Sequence, residues 1–252
     1  MKLWKIPLRR VLSTRSSNDA KTLVLTAVRH GETDNNKEQR LQGQSDAILN
    51  GSGVKQAIAA GHALRYTPFD IAYSSDLKRA KTTCQYIIEG NKRSKISVND
   101  IIEDELIKER DFGELENLLF SQFVSMAKKA NLELSDVDPA RGESLLQVRE
   151  RGRAFLINKV IKDALQVEHD RPSVLMVSHG LLLRELFIIF FEEMKCSLPP
   201  HGHHHPGDHL LMMLQKNTSW SRFELDIKAS DDGVILGLRC LDLYNINHLN
   251  GN

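Results

Sequence analysis

Two histidine–glycine pairs in this sequence each follow an apolar run that predicts a buried β-strand. The run over residues 22–28 leads to His30, and the run over residues 173–177 leads to His179. Histidine can act as a covalent nucleophile, and Arg29 offers a fork of donors for phosphate oxygens. Because ligand sites in open α/β sheets lie beyond the carboxyl ends of the strands, the two histidines could face one pocket. A structural histidine beside a surface arginine is the alternative that this pattern leaves open.

Two further side chains suit phosphoryl transfer. Arg79 lies in residues 74–80, where a predicted strand gives way to a helix, and backbone N–H groups at a helix start favour anions. Arginines are common at helix starts, so this signal is weak by itself. Glu109 lies in a predicted loop close to Phe112, where partial desolvation would keep its carboxyl protonated as a general acid. A solvated surface glutamate is the alternative for any isolated Glu.

Strands and helices alternate along the chain, which predicts helices on both faces of a sheet. We expect a three-layer α/β sandwich with a mixed, mostly parallel sheet, formed by one domain over residues 22–252. Residues 117–141 read as an insertion on one side of the sheet. The predicted strands cover residues 22–28, 70–74, 96–102, 173–177, 210–214, 220–227 and 234–243. One predicted helix begins at Asn50, and three more cover residues 76–88, 144–165 and 181–194.

Composition excludes several classes of function. The 252 residues include 34 Lys or Arg and 33 Asp or Glu, so the dominant basic footprint of a nucleic-acid binder is missing. The longest apolar runs fall short of the roughly 18 residues of a membrane span. Cys84, Cys196 and Cys240 are far apart and odd in number, which predicts free thiols in a reducing compartment, the cytoplasm.

Two segments lie outside this pattern. Residues 1–21 are rich in arginine and serine and hold one acidic residue, Asp19, which is typical of a mitochondrial transit peptide or of a disordered basic extension. Residues 201–209 are rich in histidine. Adjacent histidines point in different directions, so we interpret this segment as a solvated loop near the pocket mouth rather than a metal site. We expect no metal and no cofactor.

Six motifs occur together in one order, over residues 22–194. They are residues 29–33, Asn36, residues 74–80, residues 109–113, residues 142–144 and residues 178–180. This combination resembles the histidine phosphatase superfamily, which includes cofactor-dependent phosphoglycerate mutases and fructose-2,6-bisphosphatases. Residues 41–44, 195–199 and 248–251 additionally resemble one group of fructose-2,6-bisphosphatases.

The resemblance implies a phosphoglycerate mutase-like fold and a role for each motif residue. His30 is expected to become phosphohistidine, and Glu109 to protonate the leaving alkoxide and later activate water. Positively charged side chains are expected to bind the phosphoryl oxygens in place of the metal ion that other phosphotransfer enzymes use. The residues expected around the phosphoryl group are Arg29, Arg79 and a protonated His179, with Asn36, Gln42, Gly43 and Gly180 as further substrate or phosphate contacts.

Three departures from the mutase pattern favour a phosphatase. Asn35 stands where mutases have Trp, residues 111–112 replace His-Tyr, and Leu181 replaces Asn. The resemblance implies a monomer that hydrolyses a small phosphorylated metabolite, foremost fructose 2,6-bisphosphate to fructose 6-phosphate, and so lowers glycolytic flux. The alternatives are a phosphoglycerate mutase, a bisphosphoglycerate phosphatase, or an interaction protein that keeps the pocket as a phosphate sensor.

Overall fold

A seven-stranded mixed sheet forms the centre of the computed structural model, which describes residues 4–5, 20–197, 215–228 and 234–249. The strand order is β1-β7-β6-β2-β5-β3-β4. Five strands (β2, β3, β4, β5 and β7) run in one direction, and β1 and β6 run against them. In chain order the strands are β1 (Trp4–Lys5), β2 (Ala20–Arg29), β3 (Ile71–Ser74), β4 (Ile102–Glu103), β5 (Ser173–Ser178), β6 (Trp220–Lys228) and β7 (Val234–Asn245).

Seven α-helices flank this sheet in the described segments. A π-helical segment, Leu156–Ile161, joins two of them into one continuous helix, and a second, Ile189–Glu193, extends the last. The α-helices are α1 (Asp34–Lys37), α2 (Gly51–Ala63), α3 (Lys78–Gly90), α4 (Phe120–Ala130), α5 (Leu145–Phe155), α6 (Lys162–Gln166) and α7 (Gly180–Ile188). Short 3₁₀ turns occupy Val98–Asp100, Glu105–Ile107, Gly113–Leu115, Leu134–Asp136 and Asn247–Leu249. None of the helices in the described segments is long and apolar enough to cross a membrane.

Strand β5, between β2 and β3, is buried on both sides, which explains its uninterrupted apolar sequence. Val174 and Met176 belong to the apolar layer that includes α5 and α7. Leu175 and Val177 belong to the opposite layer, which includes α2 and α3. This arrangement confirms the predicted three-layer α/β sandwich.

Local caps explain where several predicted helices begin. The Asn50 side chain accepts a hydrogen bond from the Gly53 N–H at 2.9 Å and so caps α2, as its sequence position predicts. Ser144 accepts from the Gln147 N–H at 3.2 Å, and α5 starts at the next residue. The helix predicted from residue 76 starts two residues later, at Lys78.

The strand predicted over residues 96–102 is wrong for most of its length. Ser97 and Asp100 form a local capping box instead, in which the Asp100 carboxylate accepts from the Ser97 N–H at 2.7 Å and from its hydroxyl at 2.8 Å. Such side-chain bonds compete with a sheet ladder, so residues 98–100 form a 3₁₀ turn and only Ile102–Glu103 pair with β3. The strand predicted over residues 210–214 and the histidine-rich residues 201–209 lie outside the described residues.

The first long strand starts inside the predicted basic extension. β2 begins at Ala20, where it pairs with Lys228, and the Lys21 ammonium donates to the Val167 carbonyl. The pairing with β6 therefore moves the start of the folded domain two residues before residue 22. Further upstream, Trp4–Lys5 pair with β7 at the far edge of the sheet.

Candidate active site

The two predicted histidines meet because the strands that precede them are neighbours. β2 and β5 are parallel and in register, with Arg29 opposite Ser178. The His30 N–H donates to the Ser178 carbonyl at 2.9 Å, and the ring centroids of His30 and His179 are 5.1 Å apart. The carboxyl ends of the two strands thus place both rings in one site.

The ring of His30 has the geometry of a neutral nucleophile. It is buried, and its Nδ1 lies 2.7 Å from the Gly31 carbonyl, which accepts a hydrogen bond from the Nδ1–H tautomer. That tautomer leaves the lone pair of Nε2 available. Burial, together with the positive charges of Arg79 and Arg29, holds the pKa of His30 well below 6.5. Gly31 is required for space, since a Cβ there would lie 2.6 Å from the Gly53 carbonyl oxygen.

Two arginines, the fully buried Arg79 and the half-buried Arg29, line the cavity together with this nucleophile. Arg79, in the first turn of α3, donates from Nη1 to the Ser45 carbonyl at 2.6 Å and from Nη2 to the Gly43 carbonyl at 2.7 Å. Arg29 donates to the Gln215 carbonyl. Among the described residues, the buried Nε atoms of both arginines have no hydrogen-bond partner. Burial, with Arg29 nearby, lowers the pKa of Arg79 to about 10, so an anion between the two guanidinium groups would stabilise both charges.

His179 is the one predicted site residue that does not line the cavity. It is fully buried behind His30 and is not part of the cavity lining, and neither ring nitrogen has a hydrogen-bond partner among the described residues. Burial, Arg79 and the neighbouring His30 hold the pKa of His179 well below 6.5. A buried imidazole close to positive charges disfavours its own protonation, so the protonated His179 that the sequence predicts would need the negative charge of a bound phosphoryl group, and that role stays a prediction.

The carboxyl group of Glu109 contacts the first turn of α7, the helix that follows His179. Its Oε1 accepts from the Arg110 N–H at 2.9 Å, and both oxygens lie 3.2 Å from the Leu181 N–H. The expected contact with Phe112 does not define its surroundings. Phe112 packs edge-on against Phe123, with ring centroids 6.1 Å apart, and backbone donors surround the carboxyl group instead.

The four predicted binding residues all line the same cavity. Asn36 Oδ1 accepts from Asn217 Nδ2 at 3.2 Å and from Thr33, which orients the Nδ2 hydrogens of Asn36 as donors. Thr33 also donates to Gln42 Oε1 at 2.8 Å. Gly43, the next residue, has a positive φ of 54°, a conformation that favours glycine, and its carbonyl accepts the Arg79 hydrogen bond.

The cavity has a volume of about 720 Å³ and extends well beyond the histidine. Gly180 lines it at the first residue of α7, where helix N–H groups lack intrahelical acceptors. Arg184, one turn further along α7, also lines it, and its spacing from Gly180 is the signal that sequence reasoning missed. Leu41, Arg110 and Leu181, which belong to the sequence motifs, also line it, and the lining residues that the sequence did not single out are Gln39, Arg40, Phe120, Phe123, Glu133, Leu134, Ser135 and Leu145.

A buried histidine with a free Nε2, two arginines with unused donors and a carboxyl group at one cavity floor are the parts that phosphoryl transfer requires. The family model of the histidine phosphatase superfamily (branch 1) matches residues 25–226. The chain belongs to this superfamily and is a phosphatase.

Individual relatives narrow the comparison. Fructose-2,6-bisphosphatase TIGAR from Mus musculus is 32% identical over an alignment 268 positions long, gaps included, which covers 90% of this chain and 96% of that protein. A 2,3-bisphosphoglycerate-dependent phosphoglycerate mutase from Allorhizobium ampelinum is 34% identical over 176 residues, covering 67% of this chain and 78% of the mutase.

Solved structures share the fold. A mycobacterial glucosyl-3-phosphoglycerate phosphatase superposes with a TM-score of 0.66 at 26% identity, covering 90% of this chain and 100% of that one. The phosphoglycerate mutase from Bacillus anthracis superposes with a TM-score of 0.69 at 22% identity, covering 92% and 97%. The predicted phosphoglycerate mutase-like fold is thereby confirmed.

Proposed function

We propose that this phosphatase hydrolyses the phosphomonoester of a small metabolite through a phosphohistidine on His30, and that its leading substrate is fructose 2,6-bisphosphate. The observation that supports this proposal most strongly is the state of His30. Its Nδ1 is tied to the Gly31 carbonyl, and its pKa is held well below 6.5 by burial and two arginines. Nε2 is thus an unprotonated nucleophile at the floor of the cavity.

The first step transfers the phosphoryl group to the enzyme. Nε2 of His30 attacks phosphorus while the bond to the leaving alkoxide oxygen breaks, and Glu109 donates a proton to that oxygen. The Leu181 N–H lies 3.2 Å from both Glu109 carboxyl oxygens and the Arg110 N–H donates to Oε1, so these two amides fix the carboxyl group in the cavity wall. Arg29 and Arg79 stabilise the charge on the phosphoryl oxygens with their unused donors.

The second step releases phosphate. The Glu109 carboxylate takes a proton from water as the water oxygen attacks phosphorus, and the bond from phosphorus to Nε2 breaks. His30 returns to its neutral form and Glu109 regains its proton, so the cycle closes without a net change in the enzyme. His179, whose ring centroid lies 5.1 Å from that of His30, would take a proton from solvent when the charged phosphoryl group binds and return it to solvent when phosphate leaves.

The choice of substrate rests on two observations. The relatives named fructose-2,6-bisphosphatase align over most of this chain, at 32% identity for the Mus musculus protein. The cavity is also far larger than one phosphate, and its lining includes Arg40 and Arg184, which suit a substrate with further anionic or hydroxyl groups. Hydrolysis of this bisphosphate would lower glycolytic flux.

A phosphoglycerate mutase is the second candidate, because a protein of that name is 34% identical over 67% of this chain. A panel of phosphorylated metabolites assayed in ¹⁸O-labelled water separates the candidates. A phosphatase releases phosphate that contains one solvent oxygen, whereas a mutase returns an unlabelled phosphoryl group to its product. We expect labelled phosphate, with fructose 2,6-bisphosphate giving the highest kcat/KM of the panel. Unlabelled isomerised phosphoglycerate as the main product would contradict the proposal.

A phosphate-sensing interaction protein is the third alternative. Such a protein needs the arginines but has no use for a carboxyl group beside the bound phosphate. Glu109 is held in the cavity wall by the Arg110 and Leu181 amides, which supports catalysis over sensing. Binding of phosphorylated metabolites without phosphate release by the intact chain would favour the sensor.

A further inference from the structure

One guanidinium group holds the backbone of the segment that ends at Glu109. Arg151, on α5, donates from Nη1 to the carbonyls of Leu106 at 2.9 Å and Lys108 at 2.7 Å. Its Nη2 donates to the carbonyl of Glu109 itself at 2.9 Å. These bonds join residues more than 40 positions apart in the sequence. They fix the backbone from Leu106 to Glu109, the residue that carries the carboxyl group.

Glu143 completes the arrangement from the other side. Its Oε1 and Oε2 accept from Arg151 Nε at 2.8 Å and Nη2 at 3.0 Å. Oε2 also accepts the N–H of Asp111 at 2.9 Å, two residues after Glu109. Burial works against the charge of Glu143, but hydrogen bonds from Arg151 and Asp111 outweigh it and lower the pKa of Glu143 below 4.5.

The five hydrogen bonds account for all five N–H groups of the Arg151 guanidinium, so its orientation is fully determined. Neither Arg151 nor Glu143 lines the cavity. Both therefore lack direct contact with a substrate in the cavity, and their hydrogen bonds act on the reaction through the segment that they hold.

We propose that Arg151 and Glu143 are a positioning pair for Glu109: together they hold its carboxyl group so that its proton points toward the leaving-group oxygen. This inference rests on the proposed role of Glu109 as general acid. Proton transfer needs the carboxyl group within hydrogen-bond reach of that oxygen, and displacements of about 1 Å can lower a rate by roughly 100-fold. The pair thus affects the step that depends on the proton.

A lysine at position 151 separates this geometric role from a purely electrostatic one. The positive charge of Arg151 is one of several that lower the pKa of His179, and Arg151→Lys keeps that charge. Lysine has three donors on one nitrogen and cannot reproduce five bonds in a planar fork. Arg153→Lys is the matched control, because Arg153 lies on the same helix and pairs with Glu193 at 2.9 Å, away from the Glu109 segment.

The experiment compares two substrates in the full-length enzyme. Fructose 2,6-bisphosphate has a leaving group that needs a proton, and p-nitrophenyl phosphate has one that does not. We expect Arg151→Lys to lose about 30- to 100-fold in kcat on the sugar phosphate and less than about threefold on the aryl phosphate. Arg153→Lys should leave both within about twofold. Glu109→Gln should show the same substrate difference, and the double variant of residues 109 and 151 should lose no more than Glu109→Gln alone.

The outcomes separate the two proposals. If Glu109→Gln shows no difference between the substrates, the acid role of Glu109 fails. If Glu109→Gln shows the difference but Arg151→Lys does not, or loses the same factor on both substrates, the positioning role is overturned while the proposed function stands. Glu143→Gln, which keeps an acceptor for Asp111 but breaks the bidentate pair, repeats the test if Arg151→Lys fails to fold, as judged by its thermal unfolding.

Discussion

The two ends of the cavity are built in different ways. At the inner end, Arg29 ends strand β2, His30 follows it and Arg79 lies in the first turn of α3, and each side chain is hydrogen-bonded to a backbone carbonyl. At the outer end, Phe120 and Leu134 line the cavity while 40% and 37% exposed. The chemistry is thus fixed by the backbone of the sheet, whereas the surface that meets the rest of the substrate consists of side chains on an insertion.

The insertion that carries the outer end is docked on the loop after α1. The Leu41 N–H donates to the Leu118 carbonyl at 2.9 Å, and the Asn117 N–H donates back to the Leu41 carbonyl at 2.7 Å. Arg40 pairs with Leu119 in an isolated bridge. A change in this insertion can therefore alter substrate contacts without disturbing the strands that hold the nucleophile.

The largest effect is expected at the inner end. His30→Ala should reduce kcat by at least about 1,000-fold, because it removes the group that accepts the phosphoryl. His62→Ala, an exposed histidine on α2, is the control and should retain full activity. Thermal unfolding should show that both variants fold. If His30→Ala keeps more than about a hundredth of the activity, another residue is the nucleophile.

The protonation state of the inner end gives a second test. Since the pKa values of His30 and His179 are lowered, both rings should stay neutral as the pH falls through 6.5. An unfolded chain gains these protons near that pH, so the free energy of unfolding should fall as the pH drops below it. NMR titration of the substrate-free enzyme, with signals assigned through His30→Ala and His179→Ala, measures both rings. Mid-points at or above 6.5 would refute the neutral pair.

The outer end should give smaller, substrate-dependent effects. Phe120→Ala removes part of an apolar wall worth about 1 kcal/mol, so kcat/KM for the sugar bisphosphate should fall roughly fivefold. Turnover of p-nitrophenyl phosphate at saturation should change less than about twofold. Met126→Ala is the control, because Met126 lies on the same helix, is 45% exposed and does not line the cavity. An equal loss of kcat on both substrates would remove the distinction between the two ends.

The smallest effect is expected from deleting residues 1–19. Their only described element, β1, pairs with β7 at the sheet edge, three strands away from β2. Steady-state kinetics of the shortened chain should agree with the full chain within about twofold. A tenfold loss would show that this segment supports the site. The proposed transit role predicts that a fluorescent fusion loses its mitochondrial signal on the same deletion.

The inner end could be predicted from the sequence because its signals are local. His30 and His179 follow apolar runs directly, and Asn50 and Ser144 cap helices within three residues. The positioning role of Arg151 could not be predicted, because its carbonyl partners lie 42 to 45 residues away in the sequence.

The burial of His179 and the packing around Glu109 explain where the structure of the site differs from the sequence prediction. The charge of His179 depends on its complete burial beside Arg79, which no local motif reports. Likewise, the sequence predicts that Phe112 lies close to the Glu109 carboxyl group. The Phe112 ring packs instead against Phe123 of the insertion, and backbone N–H groups donate hydrogen bonds to the carboxyl group. Long-range packing, rather than residue type, determines the charge and contacts of both side chains.

Rapid chemical quench with phosphate-labelled fructose 2,6-bisphosphate tests the central claim most directly. A reaction stopped in alkali within milliseconds preserves phosphohistidine, which is stable in base and labile in acid. The account predicts label on the peptide that contains His30, formed and lost at rates no slower than steady-state turnover, and no label in His30→Ala. Turnover of the wild-type enzyme without any labelled protein, or label on a peptide that lacks His30, would contradict it.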